Sequence, residues 1–407
     1  MLFPKLVIIV AVMFWVLIIY YSVLTIFGLL HKTSRNDKRI NLDVYPSVDI
    51  LIPAHNEGKV LFDTLDAMAN LYYPGKLNIY LLNDNSTDET SEIAEYYSNL
   101  FNNLHHIKVP EGTPKGKARV LNYGLSISKG ELVVVYDADN QPDRYALIKL
   151  VEKAMENDMY AGAVGYVKTI NMYKNSLTRM IGLEFMVFQL IMQSGRWKLF
   201  KLGTLTGTNM LVRRKVLEKI NGWDPYALAE DAELSMRIYA NNYLLPIVTD
   251  SVTWEQEPEN LKIWIRQRTR WMQGNLYLIS KIFKDKAIRK GKNKFNIFQM
   301  VSIYYLFVSL VLVSDLWFIL GIFHRMNVAY NVPLLILWFE TLLIYSVQII
   351  TASVVENEIN YMNVIHSVLM YFTYAQFWIY LVLKGYFLQI KNIFKKAEPE
   401  WDKTVRF

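Results

Sequence analysis

Residues 131–139 read Glu131-Leu132-Val133-Val134-Val135-Tyr136-Asp137-Ala138-Asp139. A short β-branched apolar run that stops on two carboxylates flanking one residue has the pattern of a buried strand with ligand-binding groups at its tip. Working outward, runs of the same kind recur at Val48 to Pro53, Leu77 to Asn83, His106 to Val109 and Ala161 to Val167, each followed by a polar or helix-forming stretch. That alternation predicts an α/β fold with a doubly wound, mostly parallel sheet. Ligands in such sheets bind beyond the carboxyl ends of the strands, so the residues just after each run are the first candidates for chemistry.

This central segment is flanked by apolar stretches. Leu6 to Leu30 carries no charge and exceeds the roughly 20 residues needed to cross a hydrocarbon core. It runs on into His31-Lys32-Thr33-Ser34-Arg35 without a small-residue cleavage pattern, which predicts an uncleaved anchor rather than a signal peptide. Three further apolar stretches lie at about Ile297 to Phe323, Val332 to Ala352 and Val364 to Ile390. With 53% hydrophobic and only 20% charged residues, the 407-residue chain is too apolar for an ordinary soluble protein, and disordered or fibrous classes are excluded. The 14% aromatic content suits a membrane interface or a sugar-stacking surface. The absence of cysteine excludes disulfides, thiolate metal sites and cysteine nucleophiles.

The net charge of +7 matters less than where the cations lie. Lys32, Arg35, Lys38 and Arg39 follow the first apolar stretch, and Lys281, Lys284, Lys286, Arg289, Lys290, Lys292 and Lys294 precede the second. A solvated charged face reads the same way, but beside two spans the positive-inside bias places residues of about 31 to 295 in the cytoplasm. The expected organisation is therefore an anchor at 1–31, a cytoplasmic domain at 32–295, membrane segments at 296–390 and a cytoplasmic tail at 391–407. Three full crossings would leave that tail outside, against its Lys391, Lys395 and Lys396, so one late stretch is expected to be interfacial or re-entrant. Leu177 to Met192, apolar with Glu184 and Gln189 interspersed, is expected as an interfacial helix, or else as a helix packed in the domain core.

The first strand ends in Pro53-Ala54-His55-Asn56-Glu57 and the second in Asn83-Asp84-Asn85-Ser86-Thr87-Asp88. Aspartates often form turns after strands, so the Asp137–Asp139 pair gains meaning only in company. Glu230-Asp231 opens a predicted helix over Asp231 to Ala240, where acidic residues also suit the helix dipole. In Gln267-Arg268-Thr269-Arg270-Trp271, Gln267, Arg270 and Trp271 share one helical face, offering an amide, a guanidinium for a diphosphate and an indole for stacking on a sugar. A headgroup-level amphipathic helix would read similarly.

In this order the motifs resemble the family 2 glycosyltransferases, specifically the membrane-integrated branch of poly-N-acetylglucosamine, chitin, hyaluronan and cellulose synthases. The resemblance covers about residues 48 to 275, plus Trp401-Asp402-Lys403-Thr404-Val405-Arg406, which is similar to the W-x-x-T-x-R element of these synthases. It implies a GT-A type fold flanked by transmembrane and interfacial helices. It implies that Asp84 contacts a uracil, with Pro53, Asn56 and Glu57 lining the same end of the donor pocket. Asp137 and Asp139 match the D-x-D pair, with Asp139 the expected ligand of Mg2+ or Mn2+. Lys117 and Asn122 match G-K-A-x-x-L-N near the donor, and Gly207-Thr208-Asn209 matches a loop that meets the acceptor. Asp231 resembles the catalytic aspartate, beside Glu230. Gln267, Arg268, Arg270 and Trp271, with Trp401, Thr404 and Arg406, are implied contacts of the acceptor or diphosphate. Ala229 replaces the usual Thr before Glu230-Asp231, and Asn83 stands where many relatives carry a first Asp.

The chemistry also follows from the residues. Departure of a sugar-linked diphosphate needs cationic neutralisation, which a metal on Asp139, Arg270 and Arg406 would supply, and the acceptor hydroxyl needs a base, for which Asp231 is the candidate. One carboxylate as base and none as nucleophile predicts inversion. The expected function is a processive, inverting β-glycosyltransferase of the cell membrane that polymerises a UDP-sugar of the UDP-GlcNAc or UDP-Glc class into an exopolysaccharide and translocates it. The alternatives are a single transfer to a membrane lipid and an inactive scaffold that only binds nucleotide-sugars. Expected partners are the UDP-sugar, the growing polysaccharide or lipid acceptor, the bilayer and accessory membrane or export subunits, with no nucleic acid. Ser302, Ser309, Ser314, Asp315, Glu340, Gln348, His366 and Gln376 interrupt the late apolar stretches, as channel-lining residues or as groups at the headgroups or paired between helices.

Overall fold

The computed structural model describes residues 2–34, 42–290, 293–301, 308–323 and 328–395. Its centre is an eight-stranded sheet. The strands are β1 (Val48–Ala54), β2 (Leu77–Asn83), β3 (Leu104–Lys108), β4 (Leu132–Val135), β5 (Gln141–Pro142), β6 (Gly162–Thr169), β7 (Met210–Arg213) and β8 (Ile247–Glu255). Their order is β3-β2-β1-β4-β7-β6-β8-β5. β3, β2, β1 and β4 are parallel, which is the doubly wound half that the sequence predicts. Beyond β4 the sheet departs from a purely parallel plan. β7 runs antiparallel to both β4 and β6, and β5 antiparallel to β8, while β6 and β8 are parallel.

The central strands β1 and β4 are buried on both faces, which explains their nearly continuous apolar runs. Leu51, Val133 and Val135 pack with Leu121, Trp223 and Leu234 in one apolar layer. Ile50, Ile52 and Val134 alternate with them and pack with Leu61, Leu65 and Leu147 in the other. β8 is invisible to hydrophobic alternation because its inward positions carry Thr249, Ser251 and Thr253, all buried. Chain order reverses between β1 and β4, so the crevice above that pair is the switch point where an α/β sheet binds ligands.

A continuous helix, Leu2–Thr33, leads into the domain. It meets a second helical stretch in which Ser176–Met186 passes through a π-helical turn, Val187–Gln193, into Ser194–Phe200. Two glycines let these backbones touch. A Cβ on Gly28 would lie 2.7 Å from the Ile191 carbonyl oxygen, and one on Gly195 would lie 2.5 Å from that of Leu24. The expected helix over Leu177 to Met192 is thus one part of a longer stretch, and it is docked on the sheet. Gln189, buried, accepts the Val167 N–H and donates to the Val167 carbonyl, both at 2.8 Å.

Among the described residues, two helical segments are long and apolar enough to cross a membrane, Ile8–Thr33 and Leu335–Val355. The expected continuous stretch Val364 to Ile390 is instead two helices, Tyr361–Phe372 and Tyr374–Lys395. They break at Thr373, whose φ −123° and ψ −75° lie outside helical values. The stretch Ile297 to Phe323 comprises parts of the helices Asn293–Val301 and Val308–Ile322 on either side of residues outside the description.

Candidate functional site

A cavity of about 840 Å³ opens at the switch point. It begins at Pro53, Glu57 and Asp84, passes Lys117, Asp137 and Asp139, and reaches Gly207, Thr208, Glu230 and Asp231. From there it continues past Gln267, Arg270 and Trp271 into the helices, where Tyr345, Gln348, Asp315 and Gln376 line it. One cavity therefore gathers most of the residues singled out from the sequence.

The tips of β1 and β2 are held together by the Asp84 N–H, which donates to the Ala54 carbonyl at 2.8 Å. The Asp84 carboxylate is ion-paired to Arg119, which also donates to the Pro110 carbonyl at 2.7 Å. Arg119 was not singled out from the sequence, although it lies inside Gly116-Lys117-Ala118-Arg119. Asn56 does not face the cavity. It is in the left-handed region at φ 55°, its Oδ1 accepts the Thr87 N–H at 2.7 Å and its own N–H donates to Ser86 Oγ at 2.9 Å, so it shapes the loop that carries Asp84.

Lys117 opens the helix Lys117–Ile127 and points its ammonium between the carboxylates of Asp137 and Glu230. It lies 2.5 Å from Asp137 and 3.4 Å from Glu230, and donates to the Gly207 carbonyl at 2.7 Å. Gly207 adopts φ +82°, where a side chain is strained, and a Cβ there would stand 3.5 Å from Asp231 Oδ2. The glycine thereby keeps the approach to Asp231 open. Asp231 lies in the first turn of the helix Glu230–Ala240. Burial and then the neighbouring Glu230 push its carboxyl up to about 7, against the Ala232 N–H and Lys117, which pull it down. Ala229, in place of the usual Thr, fits a close packing: a Cβ on Gly274 would lie 2.7 Å from the Ala229 Cβ.

Thr208 Oγ1 accepts the Asp137 N–H at 3.1 Å and donates to Asn140 Oδ1 at 2.7 Å, which fixes the strand tip. Asn209, fully buried, donates to the Tyr166 and Ser251 carbonyls at 3.1 and 2.8 Å, so it ties β6 to β8 and does not meet the cavity. Asn122 likewise serves the fold, accepting the Trp223 N–H and donating to its carbonyl.

Two carboxylates that the sequence reading passed over, Glu255 and Glu257 at the end of β8, also line the cavity. Their spacing repeats the pattern of Asp137 and Asp139, which was the available signal. Burial first, then the negative fields of Glu257, Asp139 and Asp137, hold the Glu255 carboxyl well above the usual range. Among the described residues no three His, Cys, Asp or Glu side chains form a ready-made metal cage. The crowding is nonetheless what a hard cation would relieve, and Mg2+ or Mn2+ is commonly held by one or two carboxylates and completed by substrate phosphates. The Asp139 carboxylate, with Asp137 beside it, fits such an ion.

In the helix Leu261–Lys284, Gln267, Arg270 and Trp271 border the cavity, but Arg268 does not. It is 0% exposed, ion-paired to Glu184 at 2.7 Å, with its guanidinium 3.9 Å from the Trp271 ring centre. Arg268 is therefore corrected from a contact of diphosphate or acceptor to a buried support behind Trp271. Trp401, Thr404 and Arg406 lie outside the described residues.

The model of a family described as "Glycosyltransferase like family 2" matches residues 46–274. The chain is 39% identical over 401 residues to a protein of Bacillus subtilis (strain 168) named "Probable glycosyltransferase YdaM", covering 97% of this chain and 96% of the relative. It is 28% identical over 231 residues to a beta-monoglucosyldiacylglycerol synthase of Nostoc sp., covering 56% of this chain and 49% of that protein. It is also 26% identical over 273 residues to a poly-beta-1,6-N-acetyl-D-glucosamine synthase of Staphylococcus epidermidis, covering 66% of this chain and 65% of that protein. In fold, it resembles a Pyrobaculum calidifontis mannosyltransferase solved with GDP-Man and Mn2+, at TM-score 0.58 and 18% identity, covering 96% of this chain and all of that one.

Proposed function

The chain belongs to the family 2 glycosyltransferases, and from that premise we propose that it is an inverting, processive β-glycosyltransferase that extends a polysaccharide from a UDP-hexose or UDP-N-acetylhexosamine and passes the product into its own helices. The observation that carries this reading is the continuity of the cavity from Asp84 and Asp137 past Asp231 and Trp271 to Tyr345 and Gln348. An enzyme that released each product to the cytoplasm would need no such extension.

In this reading Asp84, oriented by Arg119, accepts from the uracil N3–H. Pro53 and Glu57 wall the nucleotide. Lys117 and Arg270 face the diphosphate, and Asp139, with Asp137 beside it, would hold Mg2+ or Mn2+, which when bound would neutralise charge on the leaving diphosphate. Asp231 takes the proton from the acceptor hydroxyl, which attacks the anomeric carbon from the face opposite the diphosphate. The glycosidic bond to UDP breaks as the new bond forms, so an α-linked donor gives a β-linked product. The indole of Trp271 carries the acceptor ring. Trp401, Thr404 and Arg406 are assigned to the diphosphate or acceptor by their motif alone.

The topology proposed with this chemistry keeps residues of about 32 to 295 and 391 to 407 in the cytoplasm. Ile8–Thr33 crosses the bilayer before the domain, the stretch of about Ile297 to Phe323 and Leu335–Val355 make two crossings after it, and the stretch broken at Thr373 stays short of a full crossing, which returns the tail to the cytoplasm. Two relatives with hexose-type names, a lipid glucosyltransferase and a polymer synthase, support the donor class while leaving the acceptor to experiment. The test is purified protein given a panel of UDP-sugars with Mg2+ or Mn2+, reading UDP release and product length. A β-linked ladder is expected. A product that stops at one sugar on a lipid would replace this reading with single transfer.

A further inference from the structure

Arg268 is charged, fully enclosed and absent from the cavity wall, so the proposed transfer gives it nothing to bind. Burying a guanidinium costs several kcal/mol unless it is well paired, and apolar packing of the same volume is often no less stable. Its surroundings show what it does instead. One terminal nitrogen donates to Glu184 Oε2 at 2.7 Å. The guanidinium lies 3.9 Å from the ring centre of Trp271, one helical turn on, and 5.4 Å from that of Phe185. Glu184 Oε2 also accepts the Tyr374 hydroxyl at 2.7 Å, and that hydroxyl accepts the Trp264 indole N–H at 3.1 Å. Tyr374 is the first residue after the helix break at Thr373.

A planar cation stacked on an indole restricts the tilt of the ring, which an ammonium on a flexible stem does not. We infer that Arg268 is a positioning residue for the acceptor: clamped by Glu184, it fixes the plane of Trp271 and ties that plane to Tyr374 on the neighbouring helix. The inference rests on the proposed acceptor role of Trp271. It adds a device that sets the attitude of the acceptor relative to Asp231, and it makes the helix break part of the acceptor site.

A double-mutant cycle between Arg268→Lys and Trp271→Ala tests it. The lysine keeps the charge beside Glu184 and removes the flat face. With a β-linked gluco-oligosaccharide as acceptor, Arg268→Lys is expected to raise the acceptor KM by about tenfold. Hydrolysis of the UDP-sugar by water should change by less than about twofold, because the donor end is untouched. In the Trp271→Ala background, Arg268→Lys should change the acceptor KM by less than about twofold. Additive effects across the cycle, or equal losses in transfer and hydrolysis, would overturn the inference by making Arg268 a general structural residue. If Arg268→Lys does not fold, Glu184→Gln, which keeps hydrogen bonds and loses the charge, is run through the same cycle. Should the product prove to be a monoglycosylated lipid, the polymer reading fails, while the cycle run with dioctanoylglycerol still decides the role of Arg268.

Discussion

Lys117 and Asp137 form an ion pair of 2.5 Å across the floor of the site. The same ammonium lies 3.4 Å from Glu230, the neighbour of Asp231, so one cation links the two ends of the site that the proposed reaction would use. Burial disfavours the charged lysine, but Asp137, Glu230 and then Asp231 outweigh it and hold the ammonium protonated far into the alkaline range.

Replacing Lys117 with Met should therefore act on the base as well as on the donor. Lys117 lowers the Asp231 carboxyl, so its removal raises it, and the acid limb of the kcat/KM profile should move to higher pH. Total activity should fall by about a hundredfold. A profile whose acid limb keeps its position would separate Lys117 from Asp231.

Asp231 itself carries two opposite expectations. Transfer needs its carboxylate, so activity should fall as pH drops through about 7, and Asp231→Asn should lose at least about a hundredfold in kcat while still binding UDP. Stability runs the other way. A carboxyl raised on folding contributes stability that is fully present below its unfolded value near 4 and is lost as pH rises through about 7. Asp231→Asn should thus raise Tm at pH 8 relative to wild type and leave it little changed at pH 4, as thermal unfolding at the two pH values will show.

Chelation should abolish transfer, and Mg2+ or Mn2+ should restore it, if Asp137 and Asp139 hold the ion. Asp139→Asn should weaken Mn2+ binding by at least about tenfold, read by the paramagnetic signal of free Mn2+. Undiminished activity in chelator would leave the counter-charge to Lys117, Arg270 and Arg406.

Arg119→Met removes the ion-pair partner of Asp84 without entering the cavity. Loss of a charge-assisted bond of this kind should weaken UDP binding by about tenfold and change the turnover of saturated enzyme far less. Calorimetric titration with UDP, beside kcat at high donor, reads both.

The native chain lacks cysteine, so a single introduced cysteine reports topology without background. A cysteine in place of Phe407 should resist an impermeant thiol reagent applied to intact cells and react once the membrane is opened. Labelling from outside would place the tail across the membrane and remove Arg406 from the diphosphate.

The parallel half of the sheet was legible because its central strands β1 and β4 are buried on both faces and are written mostly in Val, Ile and Leu. β8 was not, because Thr249, Ser251 and Thr253 fill its inward positions, and Glu255 and Glu257 went unnoticed with it. Motif spacing brought Asp84, Lys117, Asp137, Asp139, Asp231 and Trp271 to one cavity in advance; all but Trp271, which lies inside the helix Leu261–Lys284, stand at a strand tip or a helix start. It could not separate Arg270 from Arg268 two residues earlier, nor Thr208 from Asn209. Which of two neighbours faces the ligand depends on what packs behind them, and the packing partners Glu184 and Tyr166 are distant in sequence.

The glycine contacts of Gly28 and Gly195 bear on how this enzyme can be handled. Because the leading helix touches the π-helical turn backbone to backbone, and that turn is pinned to β6 through Gln189, the leading helix is masonry rather than a leash. Phe14, Leu17, Ile18 and Tyr21 of that helix face the cavity. Trimming the N-terminus to obtain a tractable catalytic fragment would therefore take out a wall of the reaction chamber, and the fragment would be a different enzyme from the one the full chain builds.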